Sequence, residues 1–129
     1  QRAVLMLLLR VQRKLNNTLV VISHDMGIHS VLTSRVAIMY AGKIVEVGKT
    51  TDLLRKPLHP YTRALIESLP RLGDKSERVG LSGQPPDLRD PPEGCRFHLR
   101  CPHTMEICKK SEPQMQIEGN QDVACWLYQ

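Results

Sequence analysis

Aromatic side chains are scarce: one Trp, three Tyr and one Phe in 129 residues. A core built from this composition is expected to rest on Leu, Val, Ile and Met. Long apolar runs are lacking as well. The longest, Ala3 to Leu9, covers seven residues, far short of the roughly 20 that carry a helix across a bilayer. No cysteine occurs before residue 95, and all four fall within the last 35 residues, which excludes a disulfide framework spread along the chain and marks a local device. No secretory leader, internal repeat or low-complexity tract is visible. An initiator Met is absent too: the chain opens at Gln1 inside an apolar pattern, so a larger protein is expected to continue upstream.

The remaining composition is that of a globular domain with a small appendage, 41% apolar and 24% charged. The net charge of +5 is unevenly spread: residues 1–70 hold ten Lys/Arg against four Asp/Glu, residues 71–129 eight against nine. A basic first half can face phosphates, on a nucleotide or a nucleic acid, or acidic lipid headgroups; charge alone favours the plainer reading of a solvated helix face.

Periodicity predicts an α/β arrangement. Arg2 to Leu15 reads as a helix whose first two turns are apolar nearly all round, so burial on several sides is expected. Arg13 and Lys14 complement the dipole at its end, and Asn16 and Asn17 tolerate the left-handed geometry that stops it. Thr18 to Ser23 (TLVVIS) does not alternate. Such a continuous β-branched and aliphatic run predicts a strand buried on both faces, as in parallel sheets covered by helices. Asp25 can cap a short helix with an apolar stripe of Ile28, Val31 and Leu32. Arg35–Tyr40 and Lys43–Val47 read as strands joined in a hairpin at Ala41-Gly42. Thr51 is the expected cap of a helix ending before Pro57, and a last helix starts at Pro60, packs through Tyr61, Leu65 and Leu69, and stops at Pro70. Residues 71–94 show no period, and Gln84 to Gly94 holds four prolines in eleven residues, a stiff extended connector. The expected division is thus 1–70, a connector at 71–94, and a cysteine-bearing extension at 95–129.

Two groups of residues can do chemistry. His24 follows the predicted strand at Ser23, and ligands of open α/β sheets bind outside the carboxyl ends of strands. An imidazole there can meet a phosphate or a water; position alone favours a histidine that only bonds backbone. Cys95, Cys101, Cys108 and Cys125, with five, six and sixteen residues between them, suit a metal-held knot in a proline-rich segment with little apolar material. Arg96, Arg100, Lys109 and Lys110 beside them are expected to ease thiolate formation. The spacing lacks the C-x-x-C knuckles of zinc ribbons and the common ferredoxin patterns. His59 is expected to pack at a helix start, His29 to be solvated, and Trp126 and Tyr128 to shield the cysteines.

The run LVVISHD followed by RVAIMYAGKIVEVG resembles the switch-histidine region of ABC-type ATPases and the two strands after it. Lys56–Leu65 (KPLHPYTRAL), Gly83-Gln84-Pro85-Pro86 and Gly94–Pro102 (GCRFHLRCP) resemble the C-terminal extension of the nucleotide-binding subunits of dipeptide, oligopeptide and nickel importers. The resemblance covers essentially the whole chain. It implies the C-terminal part of a P-loop ABC ATPase domain (buried strand, hairpin, flanking helices) followed by a small irregular four-cysteine extension. It implies further that His24 contacts the ATP γ-phosphate and helps to orient the attacking water, with ATP and Mg²⁺ as ligands of the whole protein. Partners would be a second ATPase subunit, the transmembrane permease subunits and, indirectly, a substrate-binding protein, at the cytoplasmic face of the membrane. Members of the subfamily can hold a [4Fe–4S] cluster on four such cysteines. Structural zinc, with His98 or His103 replacing a thiolate, and disulfides or free thiols remain open beside it.

The sequence contains no G-x-x-x-x-G-K-[ST], nor a glutamine loop, a family signature or a strand-end aspartate-glutamate pair. Phosphoryl transfer rests on such positioned groups, so these 129 residues by themselves are expected not to hydrolyse ATP. A nickel importer subunit is the alternative within the family. A metal-stabilised nucleic-acid-binding module is the alternative outside it, disfavoured because the basic charge and the cysteines lie in different halves and stacking aromatics are few. A non-catalytic regulatory chain is a third. No nucleic-acid partner is expected.

Overall fold

A computed structural model describes residues 2–69 and 81–129. Helix α1 (Arg2–Leu15) and α2 (Met26–Leu32) are followed by strands β1 (Arg35–Tyr40) and β2 (Lys43–Lys49) and helices α3 (Thr50–Arg55) and α4 (Pro60–Glu67). After the proline-rich stretch come a 3-10 turn (His98–Arg100), α5 (Glu106–Lys110), β3 (Gln116–Glu118), β4 (Gln121–Val123) and a final 3-10 turn (Trp126–Tyr128). Among the described residues the four strands form one antiparallel sheet in the order β1-β2-β4-β3.

The local signals are met where they depend on neighbours in sequence. Helix α1 has the expected bounds, and Asn16 behind it takes φ 49°. The Asp25 side chain caps α2 by accepting from the Gly27 N–H at 2.8 Å, and Pro60 opens α4. Ala41 and Gly42 have φ 46° and 80°, the left-handed pair that suits the twist of a two-residue hairpin turn. The 84–94 stretch contains neither helix nor strand. Two details shift. Helix α3 begins at Thr50 with Lys49 as a cap that offers no side-chain bond, so Thr51 is not the cap. On α2 the buried residues are Met26 and His29, while Val31 is exposed. Pro70, the expected stop of α4, lies outside the described residues.

Non-local expectations fare differently. Thr18 to Ser23 is not a strand, and Val20 and Ile22 are 80% and 95% exposed. An apolar run signals burial but not its pairing partner, and a strand exists only where another backbone accepts its bonds. None of the four described strands pairs with it. The apolar turns of α1 are likewise largely exposed, with Val4, Leu7, Leu8, Val11 and Leu15 open to solvent.

The core is largely aliphatic, as expected, with two aromatic rings added to it. Val36, Ile38 and Tyr40 point inward from β1 in strict alternation, and Val45, Leu53, Met26 and Phe97 join them. Phe97 is 1% exposed. Its ring stands edge-on to Tyr40 at 5.1 Å and lies 5.5 Å from Tyr61, while Tyr40 and Tyr61 are 4.7 Å apart. Three of the few aromatic rings thus concentrate at one point, in the spacing favoured by their quadrupoles. Because Phe97 comes from the cysteine-bearing segment, that segment packs into the same core as β1 and α4.

Replacing this ring removes both apolar burial and three ring contacts. Phe97→Ala is expected to lower unfolding free energy by about 3–5 kcal/mol, read from denaturant midpoints at constant slope.

Candidate functional site

Ser23, His24 and Asp25 form the bend between the extended 18–23 segment and α2. The Asp25 N–H donates to Ser23 Oγ at 3.0 Å while the Asp25 carboxylate caps the helix. These two short-range bonds fix the backbone around His24, whose ring is exposed. Beside it lies an open groove of about 1090 Å³ between α1, the 18–24 segment, α2 and β1, bordered by Leu9, Val21, His24, Met26, Ile38 and Met39. His24 is therefore presented to solvent at the end of the apolar run, without a sheet beneath it. His29, expected in solvent, is 8% exposed on the inner side of α2. A seven-residue helix shows too little of its period to reveal which face is inward.

The cysteines occupy four separate pieces of local structure. Cys95 and Cys101 flank the first 3-10 turn, Cys108 lies in α5 and Cys125 precedes the last turn. The Cys95 N–H donates to the Cys108 carbonyl at 2.8 Å. Gly94, at φ 68°, makes that approach possible: a Cβ there would stand 2.3 Å from the Cys108 carbonyl oxygen. Burial raises the Cys95 and Cys101 thiols above the ordinary range and Cys125 to about 11, and the charge of neighbouring sulfurs adds to each.

The basic residues do not ease ionisation there. The Arg96 guanidinium donates to the Ala41 carbonyl, and Arg100 reaches Ser82 O at 3.0 Å, Leu81 O at 3.1 Å and Tyr40 Oη at 3.4 Å. Lys109 pairs with Glu106. Sequence proximity placed these cations beside the thiols; their long side chains carry the charge elsewhere. His98 Nδ1 is bonded to the Cys95 carbonyl and His103 is exposed. All four cysteines are free, and among the described residues no group of three or more His, Cys, Asp or Glu is arranged to hold a metal ion. The donor type suits iron or zinc; the arrangement gives neither any support. Trp126 donates to Ser111 O and Tyr128 to Leu58 O, so both rings anchor the chain end.

One buried residue escaped the sequence reading. Glu46, fully buried in β2, accepts from the Leu58 N–H at 2.8 Å and the His59 N–H at 2.9 Å, one on each carboxylate oxygen. It pins the loop before α4 to the sheet. The one available signal was a charged residue amid the apolar run KIVEV. His59, at the cap of α4 as expected, accepts the Tyr61 N–H on Nδ1 at 3.0 Å. Burial holds its imidazole down at about 4, against 6.5 for a free one.

The sign of the resulting pH dependence follows. Between pH 6.5 and 4 the unfolded chain takes up a proton at His59 that the folded chain refuses, so stability falls as pH falls through that window and is fully present above it. The loss is expected to reach about 3 kcal/mol at its lower end. In His59→Asn, which keeps a capping oxygen, the slope across this window should flatten in denaturant titrations.

Residues 45–108 match the family described as "Oligopeptide/dipeptide transporter, C-terminal region". The chain is 41% identical to the "Dipeptide transport ATP-binding protein DppD" of Caldanaerobacter subterraneus subsp. tengcongensis, over 100% of this chain and 40% of that protein. The protein of the same name from Bacillus subtilis is 41% identical over 98% of this chain and 38% of its own length. The "Oligopeptide transport ATP-binding protein OppD" of Salmonella typhimurium is 36% identical over 98% of this chain and 38% of its own. The chain thus spans about two fifths of the length of these relatives.

Proposed function

Since the chain belongs to the oligopeptide/dipeptide transporter family of ATP-binding proteins, matching their C-terminal region, we propose that it serves in a subunit that binds and hydrolyses ATP to energise peptide uptake. The observation that carries this reading is identity near 41% sustained along the whole chain with proteins named for dipeptide transport. In that subunit the 18–23 run becomes an interior strand, paired with strands from the three fifths of the relatives' length that this chain does not span. The exposed Val20 and Ile22 and the open groove beside them support this placement. Partners of the whole protein are a second ATP-binding subunit and membrane-spanning permease subunits, with peripheral attachment at the cytoplasmic face. Among the described residues no helix is long and apolar enough to cross a membrane.

His24 is the residue proposed to act on nucleotide. When ATP and Mg²⁺ are bound, they supply the transferring phosphoryl group and the counter-charge for it. An exposed imidazole on a bend fixed by Ser23 and Asp25 can donate to a γ-phosphate oxygen, or hold the attacking water, without first breaking another bond. The phosphate loop and Mg²⁺-holding carboxylates are not in this sequence, so turnover belongs to the complete subunit. His24→Ala in that subunit is expected to lower ATP turnover at least 100-fold while ATP binding, measured by equilibrium titration, stays near wild type. Wild-type turnover in this variant removes the assigned role.

The cysteine extension is proposed as a metal-binding brace on donor type alone, [4Fe–4S] or zinc, with Cys95, Cys101, Cys108 and Cys125 as ligands. No step of the nucleotide chemistry runs through it. Metal analysis and visible absorbance of the complete, anaerobically purified subunit test the proposal. Bound iron or zinc that disappears in Cys101→Ser, with ATP affinity retained, is expected; a metal-free wild type rejects it.

A further inference from the structure

We infer that His29 is a positioning residue for His24, acting through the Ser23 carbonyl. The inference rests on the reading of His24 just given. His29 Nε2 lies 3.2 Å from Ser23 O, six residues back along the chain. A carbonyl can only accept, so the ring nitrogen donates, and the imidazole is held as the Nε2–H tautomer. This bond joins the inner face of α2 to the peptide unit that links Ser23 to His24. It adds a third bond to the Ser23 Oγ and Asp25 bonds that hold the bend. With all three made, the peptide preceding His24 has both its carbonyl and its following amide neighbourhood tied, and rotation that would re-aim the imidazole is opposed.

The position of His29 is itself set from further away. Its own carbonyl accepts the Thr33 N–H at 3.0 Å and the Thr33 hydroxyl at 2.9 Å. Thr50, buried at the start of α3, donates its hydroxyl to the Thr33 carbonyl at 2.7 Å, and its N–H to Ser34 O at 3.0 Å. A continuous series of bonds therefore runs from the end of β2 through Thr50, Thr33 and His29 to the bend that carries His24. A histidine used only to fill space needs no polar partner at its tip. An aliphatic residue there would leave the Ser23 carbonyl to rotate, and reaction geometry is sensitive to displacements of an ångström.

The test uses the complete transporter whose ATP-binding subunit carries this sequence, with His24→Ala as control. His29→Phe keeps a ring of similar volume and deletes the donor; His29→Gln restores an amide N–H where Nε2 stood. Expected is a roughly ten-fold fall in kcat for His29→Phe, with KM for ATP essentially unchanged and most of the loss recovered in His29→Gln. Full kcat in His29→Phe alongside an inactive His24→Ala overturns the positioning role and leaves the His24 reading standing. Full turnover in His24→Ala overturns both. Equal loss of ATP binding in His29→Phe and His29→Gln assigns His29 to folding alone and also overturns the inference.

Discussion

The insertion of Phe97 between Tyr40, Tyr61 and His59 is the contact on which the rest of this architecture depends. It brings a segment otherwise made of prolines, turns and two very short strands into register with the hairpin and α4. Around that ring, Arg96 reaches the hairpin turn at Ala41, and Arg100 spans Tyr40, Leu81 and Ser82. On the far side β4 adds to β2, opposite residues 46–48, and the Ala124 N–H continues the ladder to Val45 O at 2.9 Å. A three-residue strand has little stability alone.

Strand β2 is the element through which these contacts meet. One edge pairs with β1 and the other with β4, while the Glu46 side chain leaves the sheet to hold the amides of Leu58 and His59. A buried carboxylate without hydrogen bonds is costly, but one that satisfies two otherwise orphaned N–H groups at a helix start offsets much of its desolvation. The neighbouring His59 remains neutral, its Nδ1 occupied as a cap. Glu46 therefore acts through backbone donors, not through an ion pair.

What could be read from the sequence is what local chemistry decides. The bounds of α1, the Asp25 cap, the Ala41-Gly42 turn, the alternation of β1 and the start of α4 at Pro60 each need only a few consecutive residues. The 18–23 strand needs a partner backbone, and its composition says nothing of where that partner lies. In the cysteine segment the prolines and thiols are legible, whereas the long-range contacts of Phe97, Arg96 and Arg100 are encoded by no spacing rule. The inner position of His29 was not legible, because a short helix conceals its inner face.

These contacts also constrain how the two chemically distinct regions can communicate. The bend at His24 and the cysteines share no direct bond, yet both are tied to the β1–β2 hairpin. From the end of β2, Thr50 and Thr33 lead to α2; from its middle and its turn, Glu46, Ala41 and Tyr40 lead to α4 and to Phe97 and the arginines. Close-packed interiors transmit displacement with little compression. A change in the cysteine segment that moves Phe97 meets Tyr40 and Tyr61 before it reaches the bend at His24. Because Tyr40 lies on the strand preceding the turn and Thr50 on the helix following β2, the hairpin is the shared lever.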